Sequence, residues 1–281
     1  MIWVYIAISL IVLLSIALAY CVAPGKMTPE AKKAAGAFYG LNCAHRGLHT
    51  EDRQVPENSI SAFIAAREGN YGVELDVRLS KDEQVVVFHD PDLKRICGVD
   101  ALVDSLDWDE LSKLRLFDTQ ERMPLLTEVL EVLGDTPLIV EIKTAGDKNA
   151  KLCEETLKIM RSYKSSWCIE SFDPRIGAWF RKNAPDVLRG QLGCPPLTFT
   201  ELSRFLIFLG KNMLMNYMSR PHFIAYSNTP RPLAVLLCRA MGSMNFIWTV
   251  LPNHNIIKCE KENDTIIFEH YKPAPRFKRS I

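Results

Sequence analysis

The sequence predicts an α/β fold, a closed TIM-type (β/α)8 barrel preceded by one N-terminal transmembrane helix. Three observations lead there. The chain opens on a long uncharged apolar run, it then alternates strand-like and helical patterns, and its acidic, basic and imidazole side chains gather in or just after the strand-like runs.

The opening run has no charged side chain from Met1 to Gly25, and Ile2 to Ala23 is rich enough in Ile, Leu, Val and Ala to cross a hydrocarbon core of about 30 Å as a helix. A buried core helix would show a polar face or be shorter. A cleaved signal peptide would carry a basic start, an apolar stretch of only about 7–15 residues and a small residue before the cut, where Tyr20 stands before Cys21. Lys26, Lys32 and Lys33 follow the span, so the positive-inside rule predicts a single-pass membrane protein with its C-terminal part in the cytoplasm. Cysteine usage agrees with a reducing compartment: there is no CxxC pair, and residues such as Cys43 and Cys168 sit in apolar runs. Residues 1–25 are thus read as the anchor, 26–40 as a polar, Ala-rich connector and 41–281 as the barrel. With 48% hydrophobic residues the 281-residue chain can bury one large core, and a net charge of +1 gives no reason to expect nucleic acid as a partner. Basic residues cluster only between Lys272 and Arg279. Oligomeric state leaves no signal.

The strand candidates are 41–44, 72–79, 84–88, 137–142, 167–171, 188–192, 222–226, 245–250 and 265–268. Helix candidates between them are 59–68, 125–133, 150–163, 173–183, 199–209 and 231–241. An open doubly wound sheet would share this alternation. The barrel is preferred because His45-Arg46, Glu74, Asp76, His89-Asp90, Glu141 and Lys143 all fall within or at the C-terminal ends of strands, where barrel active sites form.

Those residues suggest the chemistry. Glu74 and Asp76 lie two apart in an apolar strand and so share a face; two buried acids repel unless a cation sits with them. Such a pair alone is more often a solvated or salt-bridged face. Glu141 and Lys143 repeat the spacing on a later strand, where they would either form an internal ion pair or complete an oxygen-ligand metal site and neutralise an anionic substrate. His45 and His89 end two further strands. Two imidazoles, three carboxylates, Arg46 and Lys143 together suit phosphoryl transfer: cations for a phosphodiester, a divalent metal to polarise it, and a general acid and base.

The ordered series His45-Arg46-Gly47, Pro56-Glu57-Asn58-Ser59, Glu74-Leu75-Asp76-Val77, Val86-Val87-Phe88-His89-Asp90, Pro124-Leu125-Leu126 and Val140-Glu141-Ile142-Lys143 resembles the glycerophosphodiester phosphodiesterase family. The resemblance implies a TIM-type barrel, one Ca²⁺ or Mg²⁺ on Glu74, Asp76 and Glu141, His45 and His89 as the acid/base pair, and Arg46 and Lys143 on the phosphate. It further implies attack by a neighbouring substrate hydroxyl and a cyclic phosphate that water opens. Trp248 is placed as an apolar pocket wall or, equally, as a core residue. Leu251 and the run Asp264-Thr265-Ile266-Ile267 depart from the family pattern and bear on substrate identity. The expected reaction is hydrolysis of glycerophosphodiesters to glycerol 3-phosphate and an alcohol. The alternative is a lysophospholipase D acting on membrane lysolipids; a non-catalytic membrane-anchored binding protein is disfavoured because all seven polar residues are present. His49, His222, His254 and His270 are assigned structural or surface roles.

Overall fold

The computed structural model describes residues 1–195 and 203–278. Eight parallel strands, β1 (Leu41–Ala44), β2 (Gly72–Leu79), β4 (Leu138–Ile142), β5 (Trp167–Ser171), β6 (Leu188–Gly193), β7 (Phe223–Ser227), β8 (Met244–Val250) and β9 (Thr265–Phe268), follow one another around a closed barrel. β1 closes it by pairing with β9 on one side and β2 on the other. The 84–88 run is no stave: β3 (Val85–Val87) turns back antiparallel on β2, and helical turns at Lys94–Cys97 and Trp108–Leu111 follow it around their own apolar cluster of Phe88, Leu93, Ile96 and Leu111.

Alternation along the strands sorts inside from outside. Val73, Leu75 and Val77 of β2 and Leu138, Val140 and Ile142 of β4 pack outward with Phe63, Leu126 and Val129 of the covering helices. Their neighbours Glu74, Asp76, Ile139 and Glu141 therefore point into the barrel. The barrel's lower layer is apolar, formed by Leu41, Cys43, Ile139, Cys168, Leu188, Phe223 and Phe246. Only the upper layer carries charge.

The stretch read as a connector contributes to that lower layer. Thr28 caps a helix over Pro29–Phe38 by accepting a bond from the Ala31 amide at 3.2 Å, with Pro29 at its first position. Ala35 and Phe38 close the barrel floor, the Phe38 ring 5.9 Å from Phe246, which stacks in turn on Phe223 at 4.0 Å. The helix ends before Gly40, whose φ of +70° admits the chain into β1.

The apolar run forms one helix, Ile2–Val22, exposed along most of its length. Its last turn is gripped by the barrel. The Val22 carbonyl accepts from Asn216 Nδ2 (3.2 Å) and Cys238 Sγ (3.0 Å), while Arg220 Nη1 donates to the carbonyls of Tyr20 (2.7 Å) and Ala23 (3.0 Å). These donors satisfy carbonyls that a helix end leaves open. Of the 199–209 helix candidate, residues 199–202 lie outside the described residues, and the helix described covers Arg204–Lys211; Arg279 of the basic cluster also lies outside them. A helix at Ile256–Glu262, which the sequence pattern did not suggest, fills the irregular stretch before β9.

If Phe38 plugs the barrel floor, Phe38→Ala destabilises the full chain by about 3–5 kcal/mol, the range for a lost buried aromatic. Denaturant unfolding in detergent, followed by fluorescence, should show it; an unchanged midpoint would mean that the helix is a spacer.

Candidate active site

Glu74, Asp76 and Glu141 stand on β2 and β4, where the register sets Asp76 beside Glu141. All three are buried, and a carboxylate oxygen from each lies within 4.8 Å of the others. Hard oxygen donors so close suit Mg²⁺ or Ca²⁺, and the crowding of negative charge is what such an ion relieves. Burial, then the charges of Asp76 and Glu141, push the Glu74 carboxyl well above the usual range. Asp76 goes the other way: burial would raise it, but Lys143, His89 and Arg46 hold it well below. Lys143 Nζ lies 2.7 Å from Asp76 Oδ1 and 2.5 Å from Glu141 Oε1, and although burial would lower its pKa those two carboxylates raise it.

His45 follows β1, and its amide donates to the Phe268 carbonyl at the end of β9. That tie brings it beside the next residue, Glu269. His45 Nδ1 lies 3.3 Å from Glu269 Oε2, which leaves Nε2 on the side of Glu74, 3.9 Å from its Oε2. Burial first, and then Arg46, lower the His45 pKa to about 4, so the ring is neutral at pH 7. Arg46 adopts a left-handed φ of 53°, which turns its amide onto Glu74 Oε2 at 3.0 Å. Gly47 continues that turn at φ +79°, where a Cβ would lie 2.8 Å from Ala62.

The 56–59 motif holds the wall together. Ser59 caps the Ile60–Glu68 helix, Asn58 donates to Asp76 Oδ2 at 2.8 Å, and Glu57 accepts from Arg46 at 2.7 Å. Glu57 also receives both Nη atoms of Arg95 at 2.8 Å; burial opposes its charge, but these two guanidiniums bring its pKa down to about 2. Arg95 reaches on to Asp90 at 2.6 Å, and Asp90 Oδ1 lies 2.6 Å from His89 Nδ1. His89 thus faces the opening with a carboxylate behind it, as His45 does. Arg78 fixes the same corner by donating Nε and Nη2 to the His89 carbonyl at 2.9 and 2.7 Å.

One opening is lined by His45, Arg46, Glu74, His89, Glu141 and Trp248, together with Glu170, Leu192 and Ile267. Asp76 and Lys143 stand just behind it, in contact with its wall. Trp248 donates Nε1 to the Ala225 carbonyl at 3.1 Å and meets Phe172 edge-on at 5.6 Å, which fixes it as both wall and packing. Sequence reasoning missed Glu170, Glu269 and Arg95. Glu170 had a readable signal, a carboxylate in an apolar strand like Glu74 and Glu141; it pairs in register with Glu141, and burial followed by that neighbour raises its pKa well above normal. Glu269 and Arg95 had none. Among the other histidines, His222 is buried, 3.4 Å from the Arg189 amide, and His254 accepts from the Leu251 amide, as expected. His49 and His270 are not remote from the site: both rest on Glu269.

The glycerophosphoryl diester phosphodiesterase family model matches residues 45–269, a span that contains every residue lining the opening and Glu269 behind it, with His270 just beyond its end. The chain belongs to that family. A glycerophosphodiester phosphodiesterase of Caldanaerobacter subterraneus is 35% identical over 163 residues, 54% of this chain and 66% of the relative. A human lysophospholipase D is 35% identical over 187 residues, 62% of this chain and 55% of the relative. The chain therefore spans about half to two thirds of these relatives' length. Among solved structures, a Thermotoga maritima glycerophosphodiester phosphodiesterase superposes with a TM-score of 0.59 at 28% identity, covering 81% of this chain and 93% of its own. An Oleispira antarctica phosphodiesterase, solved with sn-glycerol 3-phosphate, gives 0.67 at 21% identity over 85% and 96% of the two chains and shows the shared fold.

The depressed His45 pKa makes a signed prediction. Because the folded value of about 4 lies below the ordinary 6.5, the group's contribution to stability is full above pH 6.5 and is lost as pH falls through about 4. An NMR titration should find the His45 ring neutral at pH 6, and protonation there would refute the burial assigned to it.

Proposed function

We propose that the chain is a membrane-anchored, metal-dependent hydrolase of glycerophosphodiesters, yielding glycerol 3-phosphate and an alcohol. The observation that supports it most is the convergence of a three-carboxylate cluster and two carboxylate-backed imidazoles on one opening. Glu74, Asp76 and Glu141 would hold Mg²⁺ or Ca²⁺, which when bound neutralises the phosphodiester and polarises its P–O bonds. Arg46 and Lys143 divide their charge between these carboxylates and the phosphoryl oxygens.

Neutral His45 is the base: its Nε2 takes the proton from the substrate hydroxyl next to the ester, whose oxygen then bonds to phosphorus. His89 gives a proton to the departing alcohol oxygen as its bond to phosphorus breaks, leaving a cyclic phosphate. Water then adds to phosphorus and opens the ring, with the two histidines exchanging roles. Glu269 and Asp90 keep each ring oriented through Nδ1.

The Ile2–Val22 helix is long and apolar enough to span a bilayer, and we place the barrel on the cytoplasmic side, where Lys26, Lys32 and Lys33 favour it. Anchoring favours a second reading, a lysophospholipase D that draws lysolipids from the membrane. The matching lysophospholipases D support it, as do Phe205, Leu206 and Phe208, exposed on a helix with no buried residue.

In the purified full chain, His45→Ala and His89→Ala should each lower kcat by roughly 10²–10⁴-fold, whereas His222→Ala should not. EDTA should abolish turnover of glycerophosphocholine, and Mg²⁺ or Ca²⁺ should restore it. Full activity in excess chelator would remove the metal from the proposal. Faster turnover of lysophosphatidylcholine than of glycerophosphocholine would favour the second reading. The protein should also stay in the membrane fraction through high-salt washing, which strips electrostatic attachment but not about 20 buried apolar residues.

A further inference from the structure

Beside the catalytic opening, but outside its lining, three groups meet that the proposed hydrolysis does not use together. His49 Nε2 lies 3.0 Å and His270 Nε2 3.1 Å from the same oxygen, Glu269 Oε1. The two imidazoles meet edge to face with centroids 5.1 Å apart, and ligand atoms from all three residues lie within 4.8 Å of one another. Hydrogen bonding does not account for the arrangement. His49 Nε2 is buried and makes no properly directed hydrogen bond despite its closeness to Oε1, although its side chain is only 8% exposed. A buried ring nitrogen that faces a carboxylate oxygen and a second imidazole without a well-directed hydrogen bond has the surroundings of a metal ligand.

We propose that His49, His270 and Glu269 form a second metal site, selective for a borderline transition ion of the Zn²⁺ class. The donor set decides the class: two imidazole nitrogens and one carboxylate oxygen suit Zn²⁺, whereas the oxygen-only cluster of Glu74, Asp76 and Glu141 suits Mg²⁺ or Ca²⁺. Solvent can reach it, since the Glu269 and His270 side chains are 21% and 23% exposed. Three protein ligands leave one position of a tetrahedral ion for water.

The site has a built-in consequence for His45. Glu269 presents Oε2 to His45 Nδ1 and Oε1 to the two histidines, so one carboxylate serves both places. An ion on Oε1 withdraws negative charge from the group that orients His45, and hydrolysis slows. The inhibition rests on the proposed hydrolase reading; the binding does not.

The test uses the full chain in detergent, with millimolar Mg²⁺ to occupy the oxygen cluster. Zn²⁺ titrated against a chromophoric indicator should bind with one equivalent. His49→Ala and His270→Ala should each weaken binding by more than the 10–100-fold typical of an outer-shell change. His270→Ala, at the more exposed position, guards against a folding defect in the other variant. Co²⁺ should give visible absorption bands of a tetrahedral nitrogen and oxygen site that both variants lose. Zn²⁺ at the concentration that fills the site should slow glycerophosphocholine hydrolysis in the parent and not in the variants. Equal Zn²⁺ affinity in all three proteins overturns the site. Binding lost in the variants while inhibition persists overturns the link to His45. If the chain hydrolyses no diester, the indicator and Co²⁺ measurements still decide the binding.

Discussion

Four buried carboxyl groups, Glu74, Asp76, Glu141 and Glu170, crowd the upper layer of the barrel, and their mutual repulsion is the constraint around which the rest is arranged. Two like charges 4 Å apart cost about 4 kcal/mol even at a protein-like effective dielectric of 20, more than a single hydrogen bond returns. Opposite charge must therefore be close. Lys143 sits between Asp76 and Glu141, and Arg46 lies between Asp76 and Glu57. Burial and the neighbouring carboxylates push the Glu74 and Glu170 carboxyls well above their ordinary range. A divalent ion, which the three-carboxylate cluster could hold, would extend the same logic.

The arginines that answer this charge also place the histidines. Asp90, Arg95, Glu57 and Arg46 form a continuous series of ion pairs from His89 to Asp76, so the cap that follows β3 and the wall beside β1 are held by the same interactions. The small apolar cluster of Phe88, Leu93 and Ile96 supports that cap and keeps Arg95, its helical neighbour, in reach of two carboxylates. On the other side, Glu269 steadies His45 from the end of the last strand. Both imidazoles thus depend on carboxylates that belong to other segments of the chain or to its turns, which favours fixed geometry over flexibility around the opening.

Below the charged layer the barrel is apolar. The aromatic stack of Phe38, Phe246 and Phe223 seals it, and the helix that supplies Phe38 begins a few residues after the apolar N-terminal helix ends. Because the last turn of that helix is held by Asn216, Arg220 and Cys238, the barrel is attached to its N-terminal helix through bonded contacts as well as through the chain.

Local pattern by itself determined much of this protein. The apolar run, the alternating strands and the pairs Glu74/Asp76 and Glu141/Lys143 were readable because a strand's side chains alternate and because an acid in an apolar run is rarely there for packing. Ordered motifs around His45 and His89 added the reaction class. Other features depended on contacts distant in sequence. Glu269 is 224 residues from His45, and Arg95 is 38 from Glu57; each lies in an ordinary polar stretch, and neither spacing has a period to betray it. The 84–88 strand looked like a stave because propensity does not encode pairing direction, which only the turn back onto β2 decided. The Pro29–Phe38 helix looked like a connector for a similar reason: its polar residues face solvent, while the few that are buried, Ala31, Ala35 and Phe38, have meaning only against a barrel floor that the rest of the chain must first build.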